Sequence, residues 1–460
     1  MYYQYIDFTK TTTRLPVTRI IIAATPAYGH VAPLLSIAAD LLRRGHHVTF
    51  LGGSAFKSII ERTGAIFVAL SGNADFDAAD PAAFPLRESV AVGPARIDFD
   101  LRHLFIDPID RQHRAVQALL ADAEREQPGE PVVVLHDTGF LGMWPVLLGA
   151  PGVRPQRVIG IGVTPLPLTS IDTAPFGFGL APDSSEAGRA RNRSLNAMVV
   201  NDVFAGAQSH LAKTMQALGA RATPPFVFDG MVSMPDRYLQ MSIAALEYAR
   251  SDAPAGLRYA GALPFATPAF SPPAWWEDIL GAKQVVAVTQ GTLANRDFDD
   301  LIRPTLLALA DLDVVVVAVT GRADAAIGPV PANARVAEFI PFDQLLPHVD
   351  VLVSNGGYGG IQQALGAGVP LVVAGESEDK AEVAARAAYT GAAINLATSR
   401  PSVAAVRAAV DAVLTDPGYR RQARRLQADY ARHDALAAVD ACVLELTHLA
   451  GTHATQAALA

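Results

Sequence analysis

The sequence has almost none of the residue type from which disulfides and many metal sites are built. It contains one cysteine, Cys442, in 460 residues. A single thiol excludes an intramolecular disulfide and any metal site made of several cysteines. Such scarcity is typical of proteins in a reducing compartment, so we expect a cytoplasmic protein.

Long apolar runs and basic clusters are missing as well. The first residues, MYYQYIDFTKTTTRLP, are polar and lack the apolar segment of a signal peptide. No stretch of about 20 apolar residues predicts a transmembrane helix. The formal net charge is −8 and Lys and Arg are not clustered, so we expect no nucleic-acid partner.

What is present is an alternation of β-branched runs and amphipathic helical segments. Half of the residues are hydrophobic and 18 % are charged, which is enough apolar material for large cores. Arg19 to Thr25 predicts a strand buried on both faces, Pro33 to Arg44 a helix, and His47 to Leu51 the next strand. Such a βαβ unit requires a parallel sheet with a right-handed crossover.

The alternation stops at a Pro-rich stretch, residues 261–274, and then begins again, which predicts an α/β protein with two doubly wound halves. Domain interfaces favour ligand sites, so we expect a cleft between the halves. The predicted parts are a flexible segment (1–15), a first Rossmann-like domain (16–250), a linker (251–275), a second Rossmann-like domain (276–430) and a C-terminal helical segment (431–460), for which packing on the first domain is one option.

Two glycine-rich turns follow predicted strands of the second half. Asn355 to Gly360 (NGGYGG) follow a strand and open a helix, and Gln290 to Thr292 follow the strand predicted at Gln284 to Thr289. Free N–H groups and the helix dipole at such a turn favour a phosphate. Either turn alone could simply reverse the chain, but two turns on one sheet predict a diphosphate site.

Three segments together resemble the UDP-glycosyltransferase superfamily, glycosyltransferase family one, and most of all its bacterial branch acting on macrolides and other natural products. They are PAYGHVAPLLSIAADLLRRGHHVTF (26–50), FIPFDQLLPHVDVLVSNGG (339–357) and VDVLVSNGGYGGIQQALGAGVPLVVAGESEDK (349–380). The resemblance spans about residue 17 to about residue 430. It implies a GT-B fold, in which two Rossmann-like domains face each other across a cleft.

The resemblance also implies an activity and its partners. The expected enzyme is an inverting, metal-independent glycosyltransferase that moves a sugar from a UDP- or dTDP-sugar onto a small, apolar natural-product acceptor, as in antibiotic biosynthesis. We expect no cofactor beyond this co-substrate, no metal, no integral membrane segment, and a monomer or homodimer.

The same resemblance gives His30 the role of general base and Asp137 the role of orienting its ring. A histidine titrates near pH 6.5, which suits proton abstraction at neutral pH, and a carboxylate can support the imidazolium. Without the resemblance, His30 could be a capping or surface residue, Asp137 could be a helix N-cap, and His136 reads as structural.

By resemblance, Phe339 would stack on the nucleobase and Asp379 would bind sugar hydroxyls. Phe339 could instead belong to the core, and the run Glu376 to Lys380 could be a solvated loop. Asn355 stands where many members carry His, and Lys380 replaces the usual Gln, so the donor sugar stays open. The expected donor-binding residues are Gly291, Thr292, Phe339, Ile340, Asn355, Gly356, Gly357, Tyr358, Gly359, Gly360, Glu378, Asp379 and Lys380.

The acceptor is expected against the first domain, near residues 71–100 and 164–190, which read as long loops. The expected acceptor contacts are Tyr28, Phe84, Phe176 and Phe178, although apolar loop residues can also be ordinary packing.

Two other functions fit the same fold. A UDP-GlcNAc 2-epimerase-like enzyme would turn over the donor without an acceptor, and the opening GHxxP stretch argues against it. A non-catalytic GT-B partner protein of a glycosyltransferase would not need both His30 and Asp137, which are present.

Overall fold

The computed structural model describes residues 17–264, 270–291, 297–322 and 327–445. Thr292 and the segment predicted to be flexible, residues 1–15, lie outside the described residues, as do part of the predicted linker and the end of the C-terminal segment.

The first domain is built on a seven-stranded parallel sheet with the order β3-β2-β1-β4-β5-β6-β7. Its strands are β1 (Arg19–Ala23), β2 (His47–Gly52), β3 (Ile66–Ala69), β4 (Val132–Asp137), β5 (Arg157–Gly162), β6 (Arg237–Gln240) and β7 (Leu257–Tyr259). The helices are α1 (Tyr28–Arg43), α2 (Lys57–Glu61), α3 (Pro94–Asp100), α4 (Ile109–Glu126), α5 (Trp144–Leu147), α6 (Glu186–Met198), α7 (Ala205–Ala217) and α8 (Val227–Ser233).

The second domain is built on a six-stranded parallel sheet with the order β10-β9-β8-β11-β12-β13. Its strands are β8 (Val285–Thr289), β9 (Val315–Val319), β10 (Ala334–Ala337), β11 (Val351–Ser354), β12 (Leu371–Val373) and β13 (Ala393–Asn395). The helices are α9 (Trp276–Leu280), α10 (Ile302–Leu309), α11 (Phe342–Leu345), α12 (Tyr358–Gly366), α13 (Lys380–Tyr389), α14 (Val403–Thr415) and α15 (Pro417–Tyr430).

Both faces of each sheet are covered, as the continuous β-branched runs predict. In β1, Ile20 and Ile22 belong to one apolar cluster, whereas Ile21 and Ala23 belong to another. This division follows from the strand geometry, because successive side chains point to opposite faces. Two doubly wound sheets in series confirm the predicted fold class.

Three features of the structure were not part of the sequence-based description of the domains and loops. The strand β7 lies inside the predicted linker and pairs with β6, so the first sheet continues past residue 250. The predicted loop 71–100 contains the helix α3. Residues 435–445 are helical, and Val439 and Val443 pack in the core of the first domain.

Within the described residues, no helix combines the length and the apolar composition that crossing a bilayer requires.

Candidate active site

Each sheet has one point where the strand order reverses direction, and the predicted site residues lie at these two points. In the first sheet the reversal lies between β1 and β4, and in the second between β8 and β11. Neighbouring helices leave such a sheet on opposite faces at this point, which opens a crevice at the carboxyl ends of the strands. The fold therefore creates one crevice in each domain.

His30 and Asp137 meet at the crevice of the first domain. His30 lies in the first turn of α1, which follows β1, and Asp137 is the last residue of β4. His30 Nδ1 lies 2.6 Å from Asp137 Oδ2. Because β1 and β4 pair directly, a helix starting after one strand can reach the end of the other.

The Asp137 carboxylate is held by the backbone as well as by His30. Its Oδ1 accepts the Thr25 N–H at 2.6 Å, and its Oδ2 accepts the Gly139 N–H at 2.7 Å. The next helix, α5, begins only at Trp144, so the alternative reading of Asp137 as a helix N-cap is wrong. These bonds fix the carboxylate where it can orient the ring.

Burial and charge act in opposite directions on this pair. Burial raises the pKa of Asp137, but the His30 charge, the hydrogen bond to it and the two N–H donors outweigh burial, and the net shift is downward. Burial lowers the pKa of His30, but the charge and hydrogen bond of Asp137 outweigh it, and the net shift is upward. The pair therefore favours an ionised carboxylate beside a ring that is more basic than an ordinary histidine.

The hydrogen bond also determines which ring nitrogen is available. A carboxylate can only accept, so the proton of neutral His30 lies on Nδ1 and the lone pair on Nε2. Among the described residues, Nε2 has no hydrogen-bond partner, and the side chain is 17 % exposed. The Phe105 ring packs beside the His30 ring at a tilt of 53°, with their centroids 6.0 Å apart.

His136, read as structural, is fully buried in β4. Burial lowers its pKa, so it stays neutral at physiological pH.

The two glycine turns of the second domain lie side by side at the other crevice. Asn355 donates from Nδ2 to the carbonyl of Gln290, and its N–H donates to the carbonyl of Thr289 at 3.3 Å. Gly356 has a φ of +89°, a conformation that costs glycine little. The predicted proximity of the two turns is thus present in the structure, and Asn355 joins them.

The N-terminus of α12 points main-chain N–H groups into this crevice. Gly357 precedes the helix, and Gly359 and Gly360 lie in its first turn. Tyr358 differs from its neighbours, because its buried hydroxyl donates to Glu247 of the first domain at 2.7 Å. Only the main chain of Tyr358 is therefore available to bind the nucleotide-sugar donor.

Phe339 and Ile340 are placed differently although they are adjacent. Phe339 is 59 % exposed, so the alternative core role is wrong, and the ring is free to stack on a planar group. The Ile340 side chain is buried in the core of the second domain, which leaves only its main chain for ligand contact.

The loop before α13 faces the first domain. Lys380 Nζ pairs with Glu378 and lies 3.2 Å from Ser377 Oγ. Burial raises the pKa of Asp379 and Glu378 adds to the effect, while Lys380 and His30 oppose it. The charge of Asp379 in turn raises the pKa of His30, so the expected sugar-binding carboxylate lies across the cleft from the expected base.

The predicted acceptor residues fall in two places. Phe84 packs edge-on against Phe76, 5.1 Å away, and both line a cavity of about 790 Å³ in the first domain. Phe176 and Phe178 pack instead against a buried apolar cluster that includes Phe228. Tyr28 is 49 % exposed at the start of α1.

Three charged residues between the domains were not anticipated from the sequence: Glu247, Glu382 and Arg386. Arg386 Nε lies 3.0 Å from Glu247 Oε2, and Arg386 also pairs with Glu382. The four-residue spacing of Glu382 and Arg386 was visible, but such helical pairs usually lie in solvent. Here the pair is buried between the two domains, where it links them.

Among the described residues, no three or more His, Cys, Asp or Glu side chains are grouped to hold a metal. Asp-x-Asp sequences, a spacing that can hold a divalent cation, lie at residues 75–77, 98–100 and 311–313. In each of these, one aspartate binds another side chain: Asp75 accepts from the Ser54 hydroxyl at 2.6 Å, Asp100 pairs with Arg87 at 2.7 Å, and Asp311 pairs with Arg407 at 2.5 Å.

Comparison with curated proteins identifies similar chains of nearly the same length. UDP-glycosyltransferase 2 of Phaeomoniella chlamydospora is 47 % identical over 430 residues, which cover 91 % of this chain and 94 % of that protein. The 4'-demethylrebeccamycin synthase of Lentzea aerocolonigenes is 40 % identical over 423 residues, covering 91 % and 97 %. Residues 303–446 match a family described as erythromycin biosynthesis protein CIII-like, C-terminal domain.

Solved structures share the fold. The calicheamicin glycosyltransferase CalG4 superposes with a TM-score of 0.67 at 19 % identity, covering 94 % of this chain and 98 % of that chain. The glycosyltransferase VinC in complex with DTDP gives a TM-score of 0.63 at 19 % identity, covering 94 % and 100 %. The resemblance inferred from the sequence is thus confirmed, and the chain belongs to the UDP-glycosyltransferase superfamily as a glycosyltransferase of the GT-B fold.

Proposed function

We propose that this glycosyltransferase transfers a sugar from a UDP- or dTDP-sugar to a small, apolar natural-product acceptor, with inversion and without a metal ion. The observation that carries the proposal is the His30–Asp137 pair, which lies at 2.6 Å at one crevice and faces Asp379 of the other domain. A base beside a sugar-binding carboxylate fits a reaction at the anomeric carbon.

On the acceptor side of the reaction, His30 Nε2 takes the proton of the acceptor nucleophile. As the proton moves, the nucleophile attacks the anomeric carbon from the face opposite the nucleotide. The ring becomes an imidazolium, which the buried Asp137 carboxylate stabilises. Since Asp137 is held by Thr25 and Gly139, little reorganisation is needed when this charge develops.

On the donor side of the same displacement, the bond between the anomeric carbon and the diphosphate breaks as the new bond forms, and its electron pair leaves with the nucleotide. The main-chain N–H groups at the start of α12 would stabilise the new negative charge, supported by the helix dipole. Gly291, whose N–H donates to the Thr289 hydroxyl at 3.2 Å, would border the diphosphate without a side chain in the way. Thr292, outside the described residues, is expected to contribute its hydroxyl. Phe339 would stack on the base, and Asp379 would accept hydrogen bonds from the sugar.

The acceptor class rests on the first domain and on the relatives. The cavity bordered by Phe76 and Phe84 offers aromatic and aliphatic surface to an acceptor. Its lining also includes polar side chains, which would contact polar groups of that acceptor: Asn73, Asp75, Asp77, Asp80, His103 and Asp107. Relatives named for natural products support the same class, among them 4'-demethylrebeccamycin synthase. The spinosyn rhamnosyltransferase SpnG, which shares the fold, has been solved with spinosyn aglycone and with thymidine diphosphate.

The decisive test is the substitution His30→Ala. General-base catalysis contributes roughly 100- to 10,000-fold, so transfer from UDP-glucose or a dTDP-sugar should fall at least about 100-fold. Thermal stabilisation by UDP should be unchanged, because the second domain is intact. His47→Ala, which removes an exposed histidine of the same domain, is the matched control. Wild-type turnover by His30→Ala would refute the general-base role.

A further inference from the structure

A buried ion cluster joins the two domains beside the cleft. Its members, Glu247, Glu382 and Arg386, are 3 %, 3 % and 1 % exposed. Arg386 of α13 lies between the two carboxylates and also donates to the Leu166 carbonyl at 3.2 Å. Ions so deeply buried are costly unless their hydrogen bonds are satisfied, and here each ion has several partners.

Glu382 makes a second connection, to a glycine loop of the first domain. Its Oε1 accepts the N–H groups of Gly177 and Gly179 at 2.9 and 2.7 Å. Both glycines have positive φ, +95° and +61°. N–H groups that converge in this way form a concave site for an anion, and in this protein the anion is a side chain of the other domain.

The loop fits closely around this carboxylate. A Cβ at Gly179 would lie 3.3 Å from the Ala381 carbonyl, and a Cβ at Gly177 would lie 3.1 Å from Ile97 Cδ1. A side chain at Gly179 would press against the main chain of α13, and one at Gly177 would press against Ile97 of α3. The glycines around Phe178 thus have a structural explanation that the sequence pattern did not provide.

The position of Glu382 along the chain relates this contact to both substrates. Asp379, directly before α13, is the expected sugar contact, and Glu382 is on the first turn of that helix. The glycine loop belongs to residues 164–190, where the acceptor is expected. The start of α12 is tied to the same cluster through the Tyr358 hydroxyl on Glu247.

We propose that Glu382 is a positioning residue that couples the donor-binding helix α13 to the acceptor-side loop at Gly177 and Gly179. The inference rests on the proposed donor and acceptor sites. When a nucleotide orders the donor loop, Glu382 holds the glycine loop in the matching position. Coupling of this kind is reciprocal, so an acceptor on the loop also favours donor binding.

The test is amide hydrogen exchange with UDP as the only ligand. In the wild type, UDP should slow exchange both in a peptide spanning residues 355–360 and in one spanning 174–180. In Glu382→Gln, the N–H groups face a neutral oxygen and the ion pair is lost. UDP should still protect 355–360 there, but its effect on 174–180 should disappear.

Gly179→Ala tests the same contact from the other domain and leaves the ion cluster intact. It should reproduce the loss at 174–180, and the double variant should add nothing further, because both changes break one contact. Asp440→Asn is the matched control, since Asp440 is a buried carboxylate paired with Arg44 and His46 away from the cleft. It should respond to UDP as the wild type does.

The coupling should also appear in kinetics. With 4-methylumbelliferone as a flat phenolic acceptor and UDP-glucose as donor, Glu382→Gln should raise the acceptor KM about 5- to 150-fold, the usual range of such coupling. The affinity for UDP in the absence of acceptor should stay within about twofold, because the nucleotide contacts are unaltered.

Two outcomes would overturn the inference, and they are distinguishable. If UDP protects 355–360 but protects 174–180 equally in Glu382→Gln and the wild type, or in neither, the coupling is wrong and the donor site stands. If UDP protects neither segment of the wild type, the proposed donor site fails, and the inference fails with it.

Discussion

Asp137 determines how His30 can act. The two residues are 107 positions apart, and the strand pairing of β1 and β4 brings them together. The carboxylate fixes the proton on Nδ1, leaves the Nε2 lone pair to accept a proton, and raises the pKa of the ring despite its burial. One side chain thus sets the orientation, the tautomer and the basicity of its neighbour.

The substitution Asp137→Asn should therefore change the pH profile as well as the rate. Only neutral His30 can accept a proton, so activity should fall as pH drops through the His30 pKa, which lies above the ordinary 6.5 in the wild type. Without the carboxylate, burial remains and lowers that pKa, so the acid limb should move to lower pH. The plateau rate should fall about 100-fold or more.

The control for this experiment is Asp440→Asn, which breaks another histidine–aspartate pair, His46 with Asp440 at 2.9 Å. It should leave the acid limb in place. An acid limb that is the same in Asp137→Asn and the wild type would show that the titrating group is not His30.

At the scale of elements, the turn between β11 and α12 contains two glycines with different roles. The backbone conformation requires glycine at Gly356, whereas at Gly357 the fold leaves room for a side chain. Gly356 has a φ of +89°, and a Cβ there would lie 3.1 Å from Val373 Cγ1. Gly357 has ordinary extended angles, and a Cβ there would have no heavy atom of the described residues within 4 Å. The absence of a side chain at Gly357 therefore leaves space at a helix N-terminus.

The two substitutions Gly356→Ala and Gly357→Ala should separate folding from binding. Gly357→Ala should change the stability of the free protein little, because the gain of about 0.4–1 kcal/mol from restricting the unfolded chain is offset by the poorer N-cap that alanine makes. It should weaken UDP binding by about tenfold or more, which corresponds to about 1.4 kcal/mol. Gly356→Ala should lower the free energy of unfolding directly. Calorimetry and thermal unfolding measure both quantities, and unimpaired UDP binding by Gly357→Ala would place the diphosphate elsewhere.

At the scale of the whole molecule, two similar sheets each provide one crevice, and the contacts between domains make the crevices face each other. The cluster of Glu247, Glu382 and Arg386 lies at this boundary, and the terminal helix at residues 435–445 returns to the first domain. Neither domain alone holds both the expected base, His30, and the residues expected to bind the donor.

Nucleotide binding should therefore be visible in the stability of the whole protein. UDP or dTDP at about 100 times its dissociation constant should raise the free energy of unfolding by about 2.7 kcal/mol. The increase should persist with EDTA, because the proposed site uses main-chain N–H groups in place of a metal. GDP and ADP serve as controls for the base. A shift that EDTA abolishes would contradict metal independence, and no shift with any nucleotide would favour a non-catalytic protein.

The sequence alone determined the secondary structure pattern and the fold class of this protein, because both depend on local sequence patterns. The β-branched runs, the amphipathic helices and the glycine turns depend on residues near one another in the chain, and they predicted two doubly wound sheets. The resemblance of the motif around His30 predicted a general base with Asp137 as its partner, and the structure places the two side chains 2.6 Å apart.

Other features were decided only by the tertiary structure, since they depend on residues far apart in the chain. Periodicity could not show that Glu382 and Arg386 are buried, because the partner Glu247 lies more than 100 positions away. Nor could periodicity show that Phe339 is exposed while Ile340 is buried. It also could not show that the Tyr358 side chain points away from the donor crevice and contacts Glu247. Contacts between the domains bury Glu382, Arg386 and the Tyr358 side chain, and the core of the second domain buries Ile340. Both depend on residues that only the folded chain brings together.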